Sequence, residues 1–356
     1  MTPHSAGGAG PGLVISAPRT VDIWELPVPP ADQLNPFEVI VRAHCSLISP
    51  GTELARWRGA VVAGREGAPA KPRFPFYPGY ATVGTIAACG SRVGRVPGRR
   101  VLVAAAHRAW SVVDTRKSLC IEVPDTVNDE DATFTRLAQV GAVSLQLCQA
   151  QPGDLLAVIG LGLVGNLAGQ LALSRGYRVI GFDPSPARRR AAVECGLTEV
   201  ADPGDLSAQE LSSGAVSVLE CSGQPAALAL ATRVAAIRGE IFLVGAPWTD
   251  NRDQLAGPIL GSLFDRYQTL RSGWERQLPL AGATPPGSLQ ECDRDILRRI
   301  ALGDILTKPL LSDVIAPEQA ACAYQQLHED PEHHLGVVID WLTAKNQADP
   351  ANSAIS

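Results

Sequence analysis

The run Val158-Ile159-Gly160-Leu161-Gly162-Leu163-Val164-Gly165 sets three glycines at the spacing of a phosphate cradle. Gly160 permits a tight turn, Gly162 lets backbone approach a pyrophosphate, and Gly165 lets a helix pack close to a strand. A helix opening at Val164 points unpaired N–H groups and the positive end of its dipole at an anion, with Leu161 and Leu163 in the turn. Asp183 follows about 20 residues on, the interval expected of a ribose-binding acid. Its carboxylate can accept both ribose hydroxyls and repel a 2'-phosphate, so the pattern points to NAD, with NADP as the alternative. Arg188, Arg189 and Arg190, a turn beyond, read as the solvated face of a helix. Cys221, Ser222 and Gly245 close the next two strand ends and complete the nucleotide contacts. The competing reading, a glycine-rich turn in an ordinary α/β protein, leaves this context unexplained.

Proton chemistry has fewer candidates. His107 stands at a strand end after Val101 to Ala106, and imidazole titrates near neutrality. It reads equally as a proton shuttle or as a satisfied buried histidine. His44, inside an alternating strand pattern, reads as core or surface. Trp57, Trp248 and Trp274 either line a substrate cleft or fill cores. His328, His333 and His334 have no metal-ligand spacing and read as surface.

The elements that must hold these residues follow from periodicity. Up to about Pro124, short apolar runs such as Glu38 to Ala43 and Arg100 to Val103 alternate with Pro and Gly clusters, a β-rich pattern. From Glu130 the spacing turns helical. Strands at Leu155–Ile159, Tyr177–Asp183, Val216–Leu219, Glu240–Val244 and Thr269–Trp274 then alternate with helices. Ser185-Pro186 supplies a cap and a proline at the first position of one of them. Such alternation predicts an α/β fold with a doubly wound parallel sheet. A Pro/Gly-rich link, a helix around Asp293 to Leu302 and a strand–helix–strand ending at Asp340 return the chain to its first domain. Residues 1–12 read as a loose tail, 13–126 with 277–356 as one domain, and 127–276 as the inserted dinucleotide-binding domain.

Composition narrows the partners. A chain of 356 residues suits two domains, and its net charge of -5 argues against nucleic acid or an anionic membrane. No apolar run approaches the roughly 18 residues of a membrane span. The eight cysteines are scattered without a CxxC pair, as in a reduced cytoplasmic protein.

Three segments extend the fingerprint: Ser46 to Leu54, with Ser49-Pro50-Gly51-Thr52-Glu53; Pro78-Gly79-Tyr80-Ala81-Thr82-Val83-Gly84; and Leu219 to Gly223. With them the chain resembles the medium-chain dehydrogenase/reductase superfamily, which includes the zinc alcohol dehydrogenases. The resemblance spans nearly everything after the tail. It implies a Rossmann domain inserted into a GroES-like β-barrel domain, an active site in the cleft between them, and a homodimer joined through Rossmann edges. The motifs look most like the bacteriochlorophyllide dehydrogenase subgroup, which implies a sizeable hydroxylated substrate of specialised biosynthesis.

The same resemblance exposes what this chain lacks. Pro50 stands in the slot of a zinc-binding cysteine, while Tyr80 and Ala81 replace a zinc-binding histidine and its neighbouring acid. Thr135 to Ala138 offers no third ligand, and no four-cysteine loop is present. Three protein donors are needed for catalytic zinc, so no metal is expected. Tyr80 then becomes a candidate acid/base group, Thr52 matches a proton-relaying hydroxyl, and Glu53 is placed to accept a hydrogen bond from Tyr80. Packing without catalysis is the alternative for each. The expected activity is zinc-independent, NAD-dependent interconversion of a secondary alcohol and a ketone, with Tyr80 or His107 moving the proton. An enone or quinone reductase, a redox-silent NAD-binding protein and an NAD-assisted lyase or isomerase are the competing activities.

Overall fold

A computed structural model describes residues 8–61, 73–205, 214–248, 256–282 and 287–343. They form two compact units. Among the described residues the first comprises 8–59, 73–136 and 311–343, and the second 60–61 with the described part of 137–310.

The first unit begins with a hairpin, β1 (Ala9–Ala17) and β2 (Thr20–Pro27). The glycine-rich start is therefore strand from Ala9, not a tail to residue 12; residues 1–7 lie outside the described residues. Close packing explains the composition, because a Cβ on Gly10 would sit 2.7 Å from the Trp110 ring. Next come β3 (Glu38–Leu47), α1 (Thr52–Trp57), β4 (Thr82–Cys89), β5 (Arg100–Val103), β6 (Trp110–Asp114), β7 (Cys120–Glu122) and α2 (Asp129–Thr133). β3 is covered on both faces, with Val39 and Val41 in one apolar cluster and Ile40 and Ala43 in another. The first of these clusters also holds Val101, Val103 and Val113.

The second unit runs through α3 (Thr135–Leu147), β8 (Leu155–Ile159), α4 (Leu163–Ser174), β9 (Arg178–Phe182), α5 (Pro186–Glu194), β10 (Glu199–Ala201) and β11 (Ala215–Glu220). It continues with α6 (Pro225–Val234), β12 (Ala235–Leu243), α7 (Ala256–Asp265), β13 (Thr269–Ser272) and α8 (Leu289–Leu302). All paired strands here are parallel, in the order β10-β9-β8-β11-β12-β13. Renumbered from β8 this is 3-2-1-4-5-6, the order of a dinucleotide-binding sheet, whose switch point lies between β8 and β11. Leu-Leu-Ala-Val-Ile in β8 is apolar throughout because a central parallel strand is covered on both faces. Ser185 caps α5 from its side chain ahead of Pro186. The second unit ends at Leu310, later than the boundary at 276 expected from sequence. Hydrogen bonds tie α8 to this unit: Arg299 Nη1 donates to the Ser174 carbonyl, Arg175 pairs with Asp295, and Gln139 donates to the Leu289 carbonyl.

The chain re-enters the first unit through β14 (Leu311–Ile315), α9 (Ala320–Glu329) and β15 (Gly336–Asp340). β15 pairs antiparallel with β3, and Ile339 faces Ser46 in the register. The sheet order is β14-β15-β3-β4-β5-β7, with β6 also on β3. A parallel Rossmann-like sheet in one unit and a separate sheet in the other make up the observed α/β architecture. Among the described residues no helix is long and apolar enough to cross a membrane.

Candidate active site

In the second unit, the glycine run bridges β8 and α4. Gly160 has φ 89° and its Cβ position would meet Ser222 at 2.9 Å, so the ends of β8 and β11 touch here. A Cβ on Gly165 would overlap the Gly160 carbonyl oxygen. Gly162 differs: a Cβ there meets no atom within 4 Å, so the space above it is open. Gly162 is also the N-cap of α4 and offers no side-chain cap, and the first helical bond runs from Asn166 N to its carbonyl. Leu163, Val164 and Gly165 therefore present N–H groups without helical partners beside that space.

Asp183 is 2% exposed at the end of β9. Its Oδ2 accepts Leu161 N–H at 2.8 Å and its Oδ1 accepts Ser185 N–H at 2.9 Å. The Arg188 guanidinium lies 3.7 Å away. Arg189 donates to the carbonyls of Asp183 and Pro184 and pairs with Asp202. The arginine run is therefore not simply a solvated face, because two of its members brace the β9 turn. Glu220, buried at the end of β11, accepts from Ser222 Oγ at 2.5 Å, Ser222 N at 2.8 Å and Gly223 N at 3.0 Å. Burial outweighs those bonds and pushes its carboxyl up from the usual range. Its carbonyl accepts Gly245 N–H, so Cys221, Ser222 and Gly245 are held together around one acid. Burial likewise pushes the Cys221 thiol far up, leaving it an inert packing group.

In the first unit, the candidates converge on Glu53. Oε2 of Glu53 lies 2.9 Å from His107 Nε2 and accepts the Tyr324 hydroxyl at 2.5 Å; Oε1 accepts Ser49 N–H at 3.0 Å. His107 Nδ1 sits 2.8 Å from Ser46 Oγ, which also accepts the Trp341 indole N–H at 2.8 Å. The bonds orient themselves if His107 is neutral with its proton on Nε2. The indole only donates, the Ser46 hydroxyl then donates to Nδ1, and Nε2–H donates to the Glu53 carboxylate. Every group is satisfied and His107 is fully buried, the setting of a histidine that holds structure. Gly79, at φ 101°, makes the approach possible, since a Cβ there would sit 2.5 Å from His107 N. Burial and the Glu53 charge raise the Tyr324 phenol well above its ordinary value.

Tyr80 is half-buried just before β4. Its hydroxyl donates to Ser49 Oγ at 2.7 Å, and not to Glu53 as expected. Arg136 is 6% exposed, with its guanidinium carbon 5.6 Å from the Tyr80 ring centroid and its Nε donating to the Tyr80 carbonyl at 3.4 Å. Ser49 and Arg136 stand in segments read from the sequence, but no role was expected of either. Thr52 opens α1 half-buried and makes no side-chain hydrogen bond among the described residues. His44 bonds Asp129 and Thr85, and Trp57 is core, 1% exposed. Trp274 is half exposed. Among the described residues no group of three or more His, Cys, Asp or Glu is arranged to hold a metal ion.

Comparison with known proteins places this geometry. Residues 164–271 match the family model for zinc-binding dehydrogenases, a stretch confined to the nucleotide unit. Sorbitol dehydrogenase of Bacillus subtilis is 26% identical over 90% of this chain and 94% of its own length. The crystal structure of galactitol-1-phosphate dehydrogenase from Escherichia coli superposes with a TM-score of 0.76 at 21% identity, covering 93% of this chain and 99% of that one. The chain is similar to these dehydrogenases and has the fold of the solved one. A second medium-chain structure, a putative zinc-binding dehydrogenase from Sinorhizobium meliloti bound to NADP, superposes with a TM-score of 0.73 at 17% identity over 94% of this chain and 99% of that one.

Proposed function

We propose that this medium-chain relative is a zinc-independent, nicotinamide-dependent oxidoreductase that interconverts a secondary alcohol and a ketone. The observation that carries the reading is Tyr80: a half-buried phenol in a zinc-ligand slot, its hydroxyl fixed by Ser49. Zinc does not suit the neighbouring groups. Pro50 and Ala81 have no side-chain donor, and the nearest imidazole and carboxylate, His107 and Glu53, are committed to one another and to Ser46, Tyr324 and Ser49.

A dinucleotide does suit the second unit. The open space at Gly162, the N–H groups of Leu163, Val164 and Gly165, and Asp183 would hold its pyrophosphate and ribose. Bound there, it supplies the hydride acceptor or donor. NAD is proposed over NADP, although a similar structure holds NADP, because a 2'-phosphate would meet the buried Asp183 carboxylate. Leu161 and the Cys221-Ser222 and Gly245 turns shape the rest of that cradle.

For this chain's own groups, Tyr80 as the phenolate takes the alcohol proton on oxidation, and as the phenol it gives that proton to the ketone oxygen on reduction. Glu53 and His107 brace the Ser49 segment that meets it, and Thr52 opens α1 beside Glu53. The proposed substrate is a polyhydroxylated or larger secondary alcohol, which accords with the names of the dehydrogenases it resembles. A cytoplasmic setting accords with eight free cysteines. The proposed partner is a second copy of the chain. Supporting it are β13 as the last strand of the sheet among the described residues and the exposed Leu260, Phe264, Tyr267 and Trp274 before and after it in sequence.

Nicotinamide absorbance with a panel of polyols, secondary alcohols, ketones and matching enones tests the activity. Turnover of alcohols and ketones supports it. Turnover of enones alone would make the protein an enone reductase, and NADH binding without any turnover would make it a redox-silent binder.

A further inference from the structure

Ser49 opens the Ser49-Pro50-Gly51-Thr52-Glu53 segment, where no role was expected of it, yet it is the residue that meets the Tyr80 hydroxyl. Its Oγ accepts that O–H at 2.7 Å. Its backbone is held from the other side, where Ser49 N–H donates to Glu53 Oε1 at 3.0 Å and Glu53 N–H donates to the Ser49 carbonyl at 3.2 Å. One residue earlier, Ile48 N–H donates to the Val337 carbonyl at 2.9 Å. Ser49 is 4% exposed, so water has little access to the bond. The Tyr80 ring is fixed separately by Arg136 over its face, which leaves rotation about the phenolic C–O bond as the freedom to be settled.

We propose that Ser49 is the positioning residue of Tyr80: its hydroxyl accepts the phenolic O–H while Tyr80 is protonated and turns to donate to the oxygen when Tyr80 is ionised, so that the phenolate is held in place to take the proton of a substrate hydroxyl. This rests on the reading of Tyr80 as the acid/base group. It assigns to Ser49 the hydroxyl partnership that the resemblance suggests for Thr52. Glu53 and His107 act through Ser49: their bonds fix its backbone and leave its hydroxyl to Tyr80.

Steady-state kinetics on the full-length protein, with the best alcohol of the panel above, tests this. Ser49→Ala is expected to lower kcat roughly 10- to 100-fold while KM changes far less, and to move the pH profile of kcat. Ser49→Thr keeps a hydroxyl and is expected to recover most of the loss; Ser49→Val has the same shape without the hydroxyl and is expected to fail. That Thr/Val pair decides the matter if the alanine variant does not fold. In a Tyr80→Phe background, Ser49→Val should add no further loss. Without substrate, the ultraviolet titration step that disappears in Tyr80→Phe should shift to a different pH in Ser49→Val. Equal kcat and pH profiles for the Thr and Val variants, beside a damaged Tyr80→Phe, would overturn the role of Ser49 and leave that of Tyr80. A fully active Tyr80→Phe would overturn the underlying reading itself.

Discussion

At the scale of single residues, Asp183 serves two purposes with one carboxylate. It ties the glycine turn through Leu161 N–H and the start of α5 through Ser185 N–H. Asp183→Ala is therefore expected to weaken NADH binding and also to destabilise the ligand-free protein by about 1–3 kcal/mol, the cost of leaving buried donors unpaired. Urea unfolding without ligand separates the two effects; unchanged stability would mean the acid serves the ligand alone. Glu220 makes a pH prediction. Burial raises its folded pKa above the ordinary 4.5, so its contribution is fully present below the unfolded value and is lost as pH rises through the folded one. Glu220→Gln keeps an acceptor for the Ser222 and Gly223 bonds and should remove that part of the decline. Unfolding curves for both proteins across mildly acidic pH check it, and parallel declines would contradict the assignment. Residues such as Asp183 were legible from sequence because their roles follow from local spacing. The Glu53 brace was not, because it joins positions 46, 53, 107, 324 and 341, and only the β15–β3 register brings Trp341 to Ser46. Ser49 carried no signal of its own; a serine gains a role only from the partner that folding supplies.

At the scale of elements, the β8–α4 turn separates two kinds of glycine. A methyl at 165 would overlap the Gly160 carbonyl, whereas one at 162 meets no protein atom within 4 Å. Gly165→Ala is thus expected to disturb the fold, with a loss of about 1–3 kcal/mol from overpacking. Gly162→Ala should leave the melting temperature of the ligand-free protein within a few degrees of wild type and sharply weaken NADH binding. Thermal melts with fluorescence titration of NADH check both, and normal NADH affinity in Gly162→Ala would show that the cradle is not used. Glycine spacing revealed this element because conformational demands are local and few residues meet them. Composition misled at the N-terminus, where glycines suggested a loose tail. There the small residues let β1 lie close against Trp110 and Leu26, a demand set by distant side chains.

At the scale of the whole molecule, the sequence showed that one domain is inserted in another, but not that α8 belongs with the nucleotide unit, which its bonds to Ser174, Arg175 and Gln139 decide. The exposed apolar residues on α7 and after it predict self-association. Phe264 is 83% exposed and Leu260 64%, so Leu260→Glu with Phe264→Glu should shift a dimer to monomer in light scattering. A wild-type protein that is monomeric at micromolar concentration would contradict it. The central claim, hydride chemistry without zinc and with Tyr80 moving the proton, is tested most directly on chelator-treated protein whose metal content is measured beside its turnover of secondary alcohols. The expected result is substoichiometric zinc, kcat unaffected by chelation, and a loss of roughly 100-fold or more in Tyr80→Phe. Stoichiometric zinc whose removal abolishes turnover, with Tyr80→Phe still active, would contradict the account.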